Sequence, residues 1–318
     1  MAYRLKLKEP LAKGVRRIAG EQLGNAAARL EGGSDLETSV HEARKSLKRT
    51  RALLRLVRPG LGDAKFREAN ARLRDIARSL SAARDRDVVR RLLNGLSDAK
   101  PPLAKAAGHL LAIIDATPVV ANGSGDPRHN VAEALREIAA MRHEIAEIAL
   151  HPASFETIVA GLTKSHRAGR KALARVLELP DDAEALHDLR KAAQAYWRQM
   201  ILIQQAWPEA CLARAAAAKL VADLLGHDHD IALLENVLAG AEGQALAVVD
   251  RRALARHCVA RHGALRSDAL PKAQILFSEK SDQLGARMRS LWEAAREAAR
   301  SAPRAAVGDE PAAARRSS

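Results

Sequence analysis

Basic residues spaced to fall on one face of a helix are the features of this chain that can do chemistry. On a cylinder with about 100° per residue, His41, Arg44, Lys48, Arg51 and Arg55 form one stripe, widened by Lys45 and Arg49. Leu47, Leu53, Leu54 and Val57 occupy the other side. A solvated helix face normally alternates Glu with Lys and Arg, because opposite charges at i,i+4 attract and like charges repel. Here Glu42 is the one acid in the middle of the segment. Repulsion of this kind is tolerated where an anion is to be bound. Arg supplies a planar fork of donors and Lys a compact charge on a flexible stem, and a mixed row of both suits phosphate.

The stripe occurs a second time in weaker form. His187, Arg190, Lys191 and Arg198 keep it, while Gln194, Ala195 and Trp197 stand where Lys48, Arg49 and Arg51 stand in the first copy. Val40-His41-Glu42-Ala43-Arg44-Lys45 matches Leu186-His187-Asp188-Leu189-Arg190-Lys191. Leu80-Ser81-Ala82-Ala83-Arg84-Asp85 matches Leu225-Gly226-His227-Asp228-His229-Asp230 at nearly the same offset. One duplication accounts for both matches. The next helices add Lys65, Arg67, Arg72, Arg74, Arg78 and Arg84 in the first half, and chiefly Arg214 and Lys219 in the second. Asp85 and Asp230 are expected to orient a neighbouring cation through a charge-assisted hydrogen bond. Arg16 and Arg17, with Arg167, Arg170 and Lys171, are expected to extend the same basic surface.

The elements that position these residues are helices. Hydrophobic residues make up 47% of the 318, yet aromatics only 3%, so the core is built from Ala, Leu, Val and Ile. Ala, Leu, Arg and Glu, strong helix formers, dominate throughout, and the fold is expected to be all-α. Punctuation predicts helices over about 10–30, 35–57, 64–96, 102–116, 130–150, 155–179, 182–206, 209–238, 245–262 and 271–299. Ser34 or Asp35 is placed to cap the second of them. Asn122-Gly123-Ser124-Gly125-Asp126-Pro127 marks a loop between about 120 and 130. The expected organisation is one domain over 1–300, made of repeats at about 5–150 and 155–300, with a disordered tail over 301–318 that is rich in Ala, Pro, Arg and Ser.

Several functional classes lack their signatures. There is no phosphate-binding glycine loop or dinucleotide turn, and no nucleophile elbow. Cys211 and Cys258 have neither disulfide nor metal spacing, which fits a reducing cytoplasm. No secretory leader or membrane-spanning run is evident. His187-Asp188 and His227-Asp228-His229-Asp230 resemble the metal set of all-α phosphohydrolases. Their first-half counterparts, His41-Glu42 and Arg84-Asp85, place an arginine where a ligand is needed, and consecutive helical residues point in different directions. The chain is therefore expected to be non-enzymatic and to need no cofactor or metal. The formal net charge of +14 creates a potential that recruits polyanions. A nucleic-acid-binding protein is the alternative, although Tyr196-Trp197 is the one adjacent aromatic pair and stacking platforms need more.

The run Val40 to Arg49, the segment Arg84-Asp85-Arg86-Asp87-Val88, and His187-Asp188-Leu189-Arg190-Lys191 with Leu224-Leu225-Gly226 resemble the CHAD family, the conserved histidine α-helical domain. Glu9-Pro10-Leu11-Ala12-Lys13-Gly14-Val15-Arg16-Arg17-Ile18 is similar to that family's first helix. The resemblance implies two pseudo-symmetric four-helix bundles around a basic channel that binds inorganic polyphosphate, with association to polyphosphate granules. Carried over by position, it implies His41, Arg44, Lys45, Lys48, Arg49, Arg51, Arg55, Arg84, His187, Arg190, Lys191 and Arg198 as binding residues. Arg72, Arg74, Lys219 and His229 complete the expected set. With Lys6-Leu7-Lys8-Glu9 in place of a Glu-x-Glu-x-Lys strand, the chain is expected to be a stand-alone form without a triphosphate-tunnel (CYTH) domain.

Overall fold

A computed structural model describes residues 3–33, 35–80, 84–117 and 127–301, and every regular element among them is helical. In chain order these are α1 (Leu11–Gly32), α2 (Leu36–Leu56), α3 (Arg58–Leu61), α4 (Asp63–Ser79), α5 (Arg84–Asn94), α6 (Pro101–Ala116) and α7 (Pro127–Ala146). The second half follows with α8 (Phe155–Glu178), α9 (Ala183–Leu202), α10 (Pro208–Ala239), α11 (Ala241–Gln244), α12 (Val248–Leu276) and α13 (Ser281–Ser301). A 3-10 turn at Gln204–Ala206 joins α9 to α10.

The two stripe-bearing helices start in the same way. The Asp35 carboxylate accepts from the N–H groups of Glu37 and Thr38 at 3.2 and 3.0 Å. Asp182 accepts from Glu184 and Ala185 at 2.9 and 3.1 Å. Each cap satisfies donors that have no partner within the helix, and a negative charge there suits the helix dipole.

Neighbours recur between the halves. In the first, α1 packs on α2 and α7, α2 on α4, and α5 on α6; in the second, α8 packs on α9 and α13, α9 on α10, and α10 on α12. The halves are not separately cored. One apolar cluster runs from Ile18, Leu47 and Leu53 through Ile138 to Leu162, Leu189, Met200 and Leu284, because α2 also packs on α8 and α9. A second cluster, including Val89, Leu110, Ile114, Leu234, Leu254 and Cys258, lies between α5, α6, the C-terminal half of α10 and the N-terminal half of α12. The opening residues strap the halves together. Leu5 N–H donates to the Leu202 carbonyl at 2.8 Å, and Tyr3 Oη–H to the Arg49 carbonyl at 2.9 Å.

The helix boundaries differ from expectation in several places. The segment expected over 64–96 is two helices, α4 and α5, on either side of 81–83, which lie outside the described residues. A break was expected between 262 and 271, yet α12 runs unbroken through Pro271 to Leu276. Proline removes one ladder bond, and the buried stripe Leu265, Ala269, Ala273, Leu276 holds the helix together across that point. The expected loop at 120–130 falls partly outside the described residues, and α7 already begins at Pro127. The tail expected from 301 lies outside them apart from Ser301, the last residue of α13.

Candidate functional site

The cationic stripe of α2 exists because its opposite side is packed into the core. Ala43, Ser46, Leu47, Thr50, Leu53, Leu54 and Leu56 are buried against α1, α8 and α9. Arg44, Lys48, Arg51 and Arg55 are left half-buried at its margin, and His41, Lys45 and Arg49 are exposed. Two of these arginines reach across to α4. Arg44 donates to the Ala77 carbonyl, and Arg51 Nε–H donates to Asn70 Oδ1 at 2.9 Å. Asn70, Arg74 and Ala77 share one face of α4, so Arg74 joins the same cluster.

Arg72, two residues away, does not. It points to α7, where Glu144 accepts at 2.6 and 2.7 Å and Glu137 at 3.2 Å. Arg84 begins α5, and its side chain lies outside the described residues, as does that of Asp85. Of the other cations in this stretch, Lys65, Arg67 and Arg78 are exposed, and Arg78 lies 3.8 Å from Asp75.

From the second half, α9 brings Arg198 against α2. Arg198 is only 9% exposed. It donates to the Gln194 carbonyl at 2.8 Å and lies 4.4 Å over the Trp197 ring. Lys219 of α10 lies 5.6 Å from the same ring and pairs with Asp223. Trp197 therefore does more than replace a lost arginine: its face holds two cations in place. Its sequence signal was an aromatic directly before Arg198, in register with the basic stripe. Asn70 carried a comparable signal, four residues before Arg74 on the same face.

Crowding of positive charge is the electrostatic signature of this cluster. Burial pushes Arg51 down to about 10, and Arg55 and Arg74 push it the same way. Burial, and then Arg58, also lower Arg55. Burial lowers Arg198 to about 10 despite the opposing pull of Tyr3 and Asp223, with Arg49 and Arg51 adding to the drop. Guanidinium groups stay charged at neutral pH, so these shifts report burial first and neighbouring positive charge second, not loss of charge. An anion entering between α2, α4 and α9 would relieve that repulsion.

The head of α9 carries a second group. The His187 and His229 rings lie 5.8 Å apart. Lys191 pairs with Asp188 at 2.7 Å. The Arg190 guanidinium lies against Gly226, where an added Cβ would sit 3.5 Å from Nη2. Burial lowers the His187 pKa, and Lys191, His229 and Arg190 lower it further. The run His227–Asp230 is split by helical geometry. His229 faces α9, whereas Asp228 is buried against α12 and accepts from His262 Nδ1 at 2.6 Å and Arg266 Nε at 2.9 Å. Among the described residues, no three His, Cys, Asp or Glu side chains are grouped to hold a metal ion.

The family model of the CHAD domain matches residues 17–239 of this chain. The chain belongs to the CHAD family. The crystal structure of the CHAD domain from the plant Ricinus communis superposes on this CHAD chain with a TM-score of 0.52 at 20% identity, covering 92% of this chain and 95% of that one. At that identity the likeness establishes the shared fold. No curated protein matches. The family match spans both stripe-bearing helices, α2 and α9, together with α4 and all of α10. No helix of the described residues is long and apolar enough to cross a membrane.

Proposed function

We propose that this CHAD protein binds inorganic polyphosphate, without catalysing a reaction, in the cationic site where α2 meets α4 and α9. The observation that carries the reading is the group of partly buried arginines Arg51, Arg55 and Arg198 where α2 meets α9, with Arg74 exposed beside Arg51. A chain of phosphates supplies repeated negative charge and no side groups to be read. The mixed Arg and Lys surface matches both properties. His41, Lys45 and Lys48 on α2, and His187, Arg190 and Lys191 on α9, extend the contact in this reading. Engagement of Asp228 by His262 and Arg266 supports binding over metal-dependent hydrolysis, since that carboxylate is already committed to the core. Association with polyphosphate granules would follow from such binding.

The test is competition. The full chain should retain labelled long-chain polyphosphate in the presence of excess duplex DNA at near-physiological salt, with affinity falling steeply as salt rises. Displacement by DNA would favour the nucleic-acid reading. Lys48→Ala/Arg51→Ala/Arg55→Ala should weaken polyphosphate binding about 100-fold or more, since each charged hydrogen bond contributes about 1.5–3 kcal/mol. Circular dichroism should be unchanged. Unaltered affinity would place the site on another face.

A further inference from the structure

A cavity of about 450 Å³ lies between α8 and the start of α13, lined by Arg167, Arg170, Lys171, Lys280, Ser281 and Asp282. None of these residues belongs to α2, α4, α9 or α10, so the cavity is separate from the site proposed above. Arg167, Arg170 and Lys171 share one face of α8, because positions i, i+3 and i+4 are neighbours on a helix. Lys280 faces them from the joint between α12 and α13. The balance is four cations to one carboxylate. That carboxylate, Asp282, is 2.9 Å from Arg167 in an exposed pair, which holds it weakly. Among the described residues, Arg170, Lys171 and Lys280 make no ion pair.

The floor of the cavity is built rather than incidental. Ser281 is only 4% exposed, and its Oγ lies 3.0 Å from Nδ1 of the fully buried His166. His166 is in turn enclosed by the Tyr196 and Phe277 rings at 5.4 Å each. Burial holds its pKa down to about 4, with Arg170 the next cause. The wall facing the cations is therefore fixed and neutral, and the positive charge around it is uncompensated. The first-turn N–H groups of α13 add to the same potential, although a helix end alone would not define a site.

We propose that this cavity is a second binding site for a phosphate group, independent of the polyphosphate reading of the α2 site. A phosphate's near-double negative charge and several acceptor oxygens match three unpaired cations on two walls better than a single carboxylate would. The group is either free orthophosphate or a phosphate borne on a chain.

Calorimetry on the full chain carrying Lys48→Ala/Arg51→Ala/Arg55→Ala tests the cavity without the other site. Orthophosphate and tripolyphosphate are titrated in separate arms. Adding Arg170→Gln/Lys280→Gln should weaken binding about tenfold or more, whereas Arg252→Gln/Arg256→Gln, which removes the same charge elsewhere, should not. Lys280→Ala, in the joint between two helices, gives the same direction with the least risk to folding. Binding of orthophosphate identifies a free-anion site, and binding of tripolyphosphate alone identifies a chain-borne phosphate. Binding of neither, or equal loss from the two double substitutions, overturns the proposal. If the α2 substitutions leave long-chain polyphosphate affinity intact, the first reading fails and the cavity is unaffected.

Discussion

At the residue scale, the second half is anchored by a histidine that does not titrate where histidines usually do. His166 is fully buried, and its pKa falls from 6.5 to about 4, chiefly through burial and then through Arg170. The folded value lies below the unfolded one, so the unfolded chain takes the proton first as pH falls. Stability should therefore decline between about pH 6.5 and pH 4 and level off, for this group, below that. The contribution is on the order of 3 kcal/mol. Urea unfolding of the wild type and His166→Gln across this range checks it. The variant should show the shallower slope, and equal slopes would mean that His166 is not held neutral. Arg72 and Arg74 make the complementary point about residue type. Two arginines two positions apart turn to different neighbours, one tied to Glu144 and Glu137 of α7, the other exposed, paired locally with Asp75 and lying near Arg51.

At the element scale, the position of α2 depends on how closely α8 can cross it. Gly161 of α8 lies so near the Leu56 carbonyl of α2 that an added Cβ would overlap it. Gly161→Ala must push the two backbones apart just beyond Arg55, and overpacking of this kind costs about 1–3 kcal/mol. Gly20 in α1 offers the contrast, with nothing within 4 Å of its would-be Cβ. Gly20→Ala should stabilise by about 0.5–1 kcal/mol, because alanine favours a helix interior over glycine. Thermal melts of the two variants should move in opposite directions. A rise for both would show that α2 and α8 do not cross as closely as described.

At the scale of the whole molecule, α10 and α12 are long enough to belong to two cores. Their segments nearest the α10 N-terminus and the α12 C-terminus join the main cluster, while the remainder meets α5 and α6 in the smaller one. Leu110 is fully buried in the smaller core, and Leu110→Ala should cost about 2–5 kcal/mol. Amide hydrogen exchange in α5, α6 and the first half of α12 should rise before that of α1 and α2. Uniform acceleration across the chain would instead indicate a single cooperative core. The main core passes from one half to the other through α2, so the two cores do not coincide with the two sequence repeats.

The chain's helical class, the stripe on α2 and its weaker echo on α9 could be read directly from the sequence. They depend on 3.6-residue periodicity, on capping at Asp35 and Asp182, and on local composition, all of which are local in the chain. The expectation of a polyanion follows from the same local rule, because like charges at i,i+4 repel wherever the helix sits. Which cations meet was decided by tertiary packing. Arg198 faces Arg49 and Arg51 only because α9 packs on α2, Arg72 is removed by α7, and Asp228 is claimed by His262 and Arg266 of α12. The cavity beside Ser281 likewise joins residues more than 100 positions apart in sequence. Helix periodicity assigns a side chain to a face; the long-range burial of Leu, Ile and Ala in a shared core sets what that face meets.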